Sequence, residues 1–200
     1  MAQEGPYHHG NLRAALVIAG IDLLEEAGLP GLSLRAVAAR VGVSHSAPRN
    51  HFRGLAGLLS AIAAEGFRRH AAALGDAMAE AGEDRAARAQ AAAEAYVAFA
   101  LASPALFTLM FSKDRLDADD AALWAARSES YDRLREAARG YASGPAASLP
   151  ENLAAETYLW SLVHGFARLR LDGVLGKSER MLGRQLEVGE ILPKGLFDER

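Results

Sequence analysis

The chain has 200 residues, half of them hydrophobic, enough for one domain or a small domain joined to a medium one. Its 22 basic and 25 acidic residues leave a formal charge of −3, and the lack of cysteine excludes disulfides, thiolate metal sites and cysteine nucleophiles. The opening MAQEGPYHHGNLR has an early glutamate and no apolar run, unlike a secretory signal. Longer apolar stretches are broken by Arg, Glu or Gly well short of the ~20 residues that span a bilayer. The expectation is a cytoplasmic protein with no membrane partner.

Alanine and leucine dominate and β-branched residues are sparse, so nearly every element reads as helix. A first helix is expected from an Asn11 cap to Ala27, with Leu12, Ala15, Leu16, Ala19 and Leu23 repeating at helical spacing. Gly28 and Pro30 stop it. Ser33 caps a short helix through Arg40, with Leu34, Val37 and Val41 inward, and Gly42 ends that helix. Ser44 is expected to cap a second short helix, 45 to 51, with Pro48 near its first turn. A longer helix follows from about Leu55 to Ala81. Five more segments are predicted at 85–102, 104–111, 118–142, 151–172 and 177–190. A loop from Gly140 to Pro150 and a frayed tail from 193 complete the chain.

Charge is distributed unevenly along this plan. Residues 1–70 hold seven arginines (Arg13, Arg35, Arg40, Arg49, Arg53, Arg68, Arg69) against five acids (Glu4, Asp22, Glu25, Glu26, Glu65). The remainder holds fifteen basic and twenty acidic residues. From Ala27 to Ala64 there is no acid, while four arginines and two histidines occur, so a polyanion would be better tolerated there than elsewhere. Inside that window lies LSLRAVAARVGVSHSAPRNHF, two short helices joined through Gly42, with Val37, Val41, Val43 and Phe52 available as a small core. Its polar tip offers Ser44, His45, Ser46, Ala47, Arg49 and Asn50. Arginine can contact guanine or a phosphate and asparagine can pair with adenine, which suits entry into a DNA major groove.

Those residues resemble the TetR family of transcriptional regulators, over essentially the whole chain. The resemblance rests on Leu34-Arg35-Ala36-Val37-Ala38, Gly42-Val43-Ser44, His51-Phe52 and Leu58-Leu59. The YHHGNLR opening and WSLVHG, with Trp160, His164 and Gly165, are similar to the branch with a Trp-His-Gly C-terminal domain. The resemblance implies an all-α protein. Residues 1–54 would form a three-helix helix-turn-helix domain, and 55–200 a helical bundle that binds a ligand and dimerises. It implies DNA contacts from Ser33, Arg35, Ser44, His45, Ser46, Ala47, Arg49, Asn50, His51 and Arg53. Two positions depart from the family: Arg49 replaces a phosphate-binding tyrosine, and Leu55 stands where a phosphate-binding lysine is frequent, leaving that contact to Arg53.

In the second half, Thr157, Trp160, His164 and Leu171 fall near one helical face, which the resemblance turns inward. They and the large residues Tyr96, Phe99, Phe107, Met110, Phe111, Trp124 and Tyr131 either border a cavity for an apolar or aromatic effector or simply fill the core. Leu153, Leu162, Phe166, Leu169, Leu186, Val188 and Ile191 suit either a two-fold four-helix contact between subunits or burial against residues 118–142. The functional expectation is a homodimeric repressor on a palindromic operator in double-stranded DNA, released by a small molecule. The alternative is a DNA-binding regulator controlled by a protein partner or its own concentration. No HExxH, phosphate loop or nucleophile–base pair occurs, and the histidines are scattered, with His164 alone looking buried. An enzyme, a metal site and a cofactor are therefore not expected.

Overall fold

The computed structural model describes residues 12–139 and 153–192. The Asn11 cap, the YHHGNLR opening as far as Asn11, the Gly140 to Pro150 loop and the tail from 193 lie outside the described residues. Among the described residues every regular element is helical. Two compact units form, one from residues 1–66 and 105–125, the other from 67–104 and 126–200.

In the first unit, α1 (Leu12–Gly31) is interrupted at Gly28, whose φ of 67° only glycine adopts cheaply, and Pro30 follows in a final turn. Its buried stripe is Leu16, Val17, Gly20, Ile21 and Leu24, with Leu12, Ala15 and Leu23 half-buried on its edge. Against it packs α2 (Leu34–Val41), begun by the Ser33 hydroxyl, which accepts from the Ala36 N–H at 3.1 Å. Gly42 closes α2 in the left-handed region, φ 78°, so that the chain reverses without a side-chain clash. A bidentate ion pair from Arg40 to Glu26, 3.0 and 2.6 Å, ties α2 to α1. It pulls the Glu26 carboxyl below its usual range.

The second short helix differs from expectation. Residues 47–50 form a single 3-10 turn, Ala47–Asn50, closed by i→i−3 bonds such as Ala47 N–H to Ser44 O and Arg49 N–H to Ser46 O. The cause is Pro48. In an α-helix capped by Ser44, residue 48 is the first whose N–H would bond back to the cap carbonyl, and proline has none to give. In the 3-10 turn it occupies one of the first two positions, where no donor is required.

The helix α3 (Gly54–Glu80) follows. The 7-residue α5 (Pro104–Met110, numbered after α4 below) begins on the Glu25 carboxylate, which accepts from the backbone of Ala105 and Leu106. Leu16, Leu24, Val37, Leu58, Ile62, Leu106, Phe107 and Met110 make the core of this unit.

In the second unit, α4 (Arg85–Ala102) starts on the Asp84 side chain and packs on α7 (Leu153–Leu171). Arg88 of α4 donates to the Met78 and Gly82 carbonyls and pairs with Glu136 at 2.6 Å, fixing the end of α3 to α6 (Ala121–Ala138). The segment expected as one helix from 177 to 190 is two, α8 (Gly176–Leu182) and α9 (Val188–Ile191), separated by a turn at Gly183. Arg170 pairs with Glu179 and donates to the Leu186 carbonyl, while Val188 is buried as α9 packs on α4. A straight helix could not satisfy both.

Candidate functional site

Two groups of side chains have the chemistry of a site, one in each unit. In the first unit, Pro48 and Phe52 are buried, and they hold the tip of the two-helix motif from beneath. Around them Ser44, His45, Ser46, Arg49, Asn50, His51 and Arg53 are all exposed, as are Ser33 and Arg35, and Ala47 is half-buried. The structure thus brings every sequence-predicted DNA-contacting residue into one short stretch of the first unit. The backbone is set by Phe52 N–H to Pro48 O at 2.9 Å and by the two buried anchors, so the polar side chains are left to solvent. Ser44 does not cap; its hydroxyl lies 3.1 Å from that of Ser46.

Arg13 also belongs here, although the sequence marks it only as part of the opening motif and as one of the seven arginines of residues 1–70. Its guanidinium stacks over the Phe52 ring, 5.4 Å from the centroid. Arg13, His51 and Arg53 share a cleft of about 510 Å³ with Asp117, Asp119 and Asp120. The Ser60 hydroxyl, fully buried on α3, accepts from the Asp117 N–H at 2.8 Å and so fixes the acidic loop.

In the second unit a different group forms around Tyr96. Its phenol lies 2.9 Å from His164 Nδ1, and burial holds it above its ordinary range while a hydrogen bond with the Trp160 side chain pulls the other way. His70 of α3 sets its ring edge-on to Tyr96 at 4.6 Å and to Phe99 at 5.1 Å. Its Nδ1 is 2.8 Å from the Ser130 hydroxyl on α6. His70 is 2 % exposed, and burial, aided by the nearby His164, lowers its pKa to about 4. Burial also lowers His164, with Arg168 adding to the effect. Tyr131 donates to the buried Glu156 carboxylate at 2.9 Å and meets the Trp160 ring at 5.8 Å.

Three expectations about this region change. His70, not His164, is the buried histidine; His164 is half-buried. The stripe Thr157, Trp160, His164 and Leu171 is not the buried face of α7, which is Ala155, Glu156, Leu159, Val163, Phe166 and Ala167. Trp160 is 41 % exposed, because it stands one residue, about 100°, round the helix from Leu159. The large residues also divide between units. Tyr96, Phe99, Tyr131, Trp160 and His164 lie in the second. Phe107 and Met110 are buried in the core of the first, with the Phe111 ring edge-on to Phe107 at 5.1 Å. Trp124 is at the surface, its indole donating to the Ala118 carbonyl.

Of the apolar residues expected at terminal helices, Phe166 and Val188 are consumed inside the unit and Leu162 and Leu186 partly so. Leu153, Leu169 and Ile191 remain exposed, beside Val174, Met181 and Leu182. Among the described residues no group of three or more histidines and acids is placed to hold a metal, and no single helix is long and apolar enough to cross a membrane.

Residues 89–187 match a family described as the tetracyclin repressor-like C-terminal domain. A solved structure of a protein of unknown function from Rhodococcus sp. RHA1 is 36 % identical, covering 94 % of this chain and 92 % of that one, with a TM-score of 0.73. The fold is shared with a TetR family transcription regulator from Marinobacter aquaeolei VT8, at 18 % identity over 80 % of this chain and 84 % of that one, TM-score 0.58. It is shared also with the TetR family regulator PfmR from Thermus thermophilus, at 19 % identity over 86 % of this chain and 95 % of that one, TM-score 0.57. No curated protein matches the sequence.

Proposed function

Because the chain belongs to the TetR family of transcriptional regulators, we propose that it is a homodimeric repressor whose grip on an operator is loosened by a small apolar or aromatic effector. That it regulates transcription and binds DNA, and is no enzyme, follows from the family. The rest is our reading. Residues 1–54 carry DNA binding and 55–200 carry regulation and dimerisation. The protein acts in the cytoplasm, where its DNA is.

One observation carries the DNA-reading part. In a stretch with no acid between Ala27 and Ala64, two buried anchors present a tip of exposed polar side chains. Arg49 and Asn50 at the 3-10 turn reach base edges, Ser44 and Ser46 take phosphates, and Arg53 with Arg13 supplies the charge that Leu55 cannot. Two-fold pairing through the exposed Leu153, Leu169, Val174, Met181 and Leu182 supports a palindromic site, half-sites about one turn or a somewhat larger span apart. The effector is received by the Tyr96, Phe99, Tyr131, Trp160 and His164 group, whose rings favour an apolar or aromatic body.

Selection of bound sequences from a randomised duplex library, at two salt concentrations, tests the proposal. A palindromic site enriched at both is expected. Binding without sequence preference that vanishes as salt rises would overturn it, because pure phosphate attraction behaves that way.

A further inference from the structure

His70 uses only half of its hydrogen-bonding capacity. Nδ1 is engaged by the Ser130 hydroxyl at 2.8 Å, and the ring is fixed edge-on to Tyr96 and Phe99. Nε2 is buried and meets no hydrogen-bond partner among the described residues. A native fold rarely keeps a buried polar nitrogen unpaired unless something from outside the chain, a ligand or an ordered water, completes it.

We propose that His70 Nε2 is the polar anchor of the effector site, and that the effector is an uncharged apolar or aromatic molecule bearing a hydroxyl. This rests on the reading that the second unit receives an effector, and adds the residue and ligand class that reading lacks. The hydroxyl follows from the ring's two states. Ser130 can donate to Nδ1 or accept from it, which leaves Nε2 carrying a proton or a lone pair, and a hydroxyl can answer either. Neutrality follows from the surroundings. The side chains in contact with His70 are the uncharged Tyr96 and Phe99 on α4 and Ser130 on α6, and Arg168 acts on His164 rather than on His70, so a carboxylate at Nε2 would enter without a cation against it. The apolar body follows from the Tyr96 and Phe99 edges.

The test uses the full-length protein and three matched pairs of probes, 2-naphthol with naphthalene, 4-propylphenol with propylbenzene, and 1-octanol with octane. Calorimetric titration should show at least one hydroxylated member binding about tenfold or more tighter than its partner. That preference should collapse in His70→Phe, which keeps a ring against Tyr96 and Phe99. In parallel, the ¹⁵N shift of His70 Nε2 in the unaltered protein should move with the hydroxylated probe and not with its hydrocarbon, a readout that needs no variant to fold. Equal binding within a pair, a preference that survives His70→Phe, or an unmoved Nε2 shift would overturn the anchor while leaving an effector site standing. No binding by any of the six would overturn the effector site itself, and the anchor with it.

Discussion

Around Pro48 the polar side chains point to water and only two residues are buried, whereas around Tyr96 the polar atoms lie wholly or partly inside and answer one another, His70 Nε2 excepted. On the function proposed above, the difference reflects two kinds of partner. A surface that meets a polyanion in water can leave its donors solvated until contact, so those side chains carry little of the fold's stability. A group that receives a molecule into the interior must hide its donors in pairs, so each is bound up with folding as well as recognition. Substitutions at the tip should therefore move binding without stability, and substitutions in the aromatic group should move both.

The tip's own foundation is the exception, because there binding and stability fall together. Phe52, 5 % exposed and stacked under Arg13, is the one large apolar residue there. Phe52→Ala should cost about 3–5 kcal/mol and remove DNA binding with the fold. Chemical denaturation followed beside a gel-shift titration checks this. A variant that keeps its midpoint would show that Pro48 and the backbone bonds hold the turn alone.

Next in size is an effect of pH on the aromatic group. An unfolded imidazole takes up a proton below about pH 6.5, but His70 in the fold resists until about pH 4. Between those values the unfolded chain binds more protons, so stability rises with pH. The contribution is complete above pH 6.5 and is lost as pH falls through the window, about 3 kcal/mol in all. Urea midpoints measured from pH 7 to pH 4 should fall steeply, and His70→Phe should flatten the curve. An unchanged slope in that variant would assign the acid sensitivity elsewhere.

Arg49→Ala and Asn50→Ala change exposed side chains of the tip itself. Each should weaken specific DNA binding by about 1–3 kcal/mol, and Asn50→Ala should also relax preference at the base it reads. Neither should shift the melting temperature, since both side chains are exposed. A fall in stability comparable to the fall in affinity would mean that the tip is structural after all.

How far the sequence reveals each region follows the same division. The limits of α2, its Ser33 cap and its Gly42 stop are readable because capping and left-handed glycine are local chemistry, and α4 runs over the predicted 85–102 for the same reason. Pro48 misleads by a matter of register: one residue decides whether its missing N–H is needed, and so whether the tip is α or 3-10. His70 is hidden between Gly66, Arg68 and Arg69 on one side and alanines on the other. Its spacing of three from Phe67 and four from Leu74 is the available signal. The resemblance turns Trp160 inward, although the apolar stripe Leu159, Val163 and Phe166 runs beside it. The single-residue rotation is beyond what an i, i+3, i+4 pattern with two plausible phases can choose.

The smallest expected effect concerns Ser33, which stands between the two behaviours. Its hydroxyl already accepts from the Ala36 N–H at 3.1 Å, yet it is exposed at the start of α2, where the family resemblance implies a DNA contact. As a cap alone, Ser33→Ala should cost about 1 kcal/mol of stability, and Ser33→Asn, which caps as well, should recover it. As a phosphate contact, Ser33→Ala should also weaken DNA binding measured well below the melting range, uniformly across operator sequences, because phosphates carry no base information. Thermal melts of the three proteins fix the capping share. Titrations on a preferred and a scrambled duplex then isolate the remainder, and equal affinity for wild type and Ser33→Ala on both would confine Ser33 to the fold.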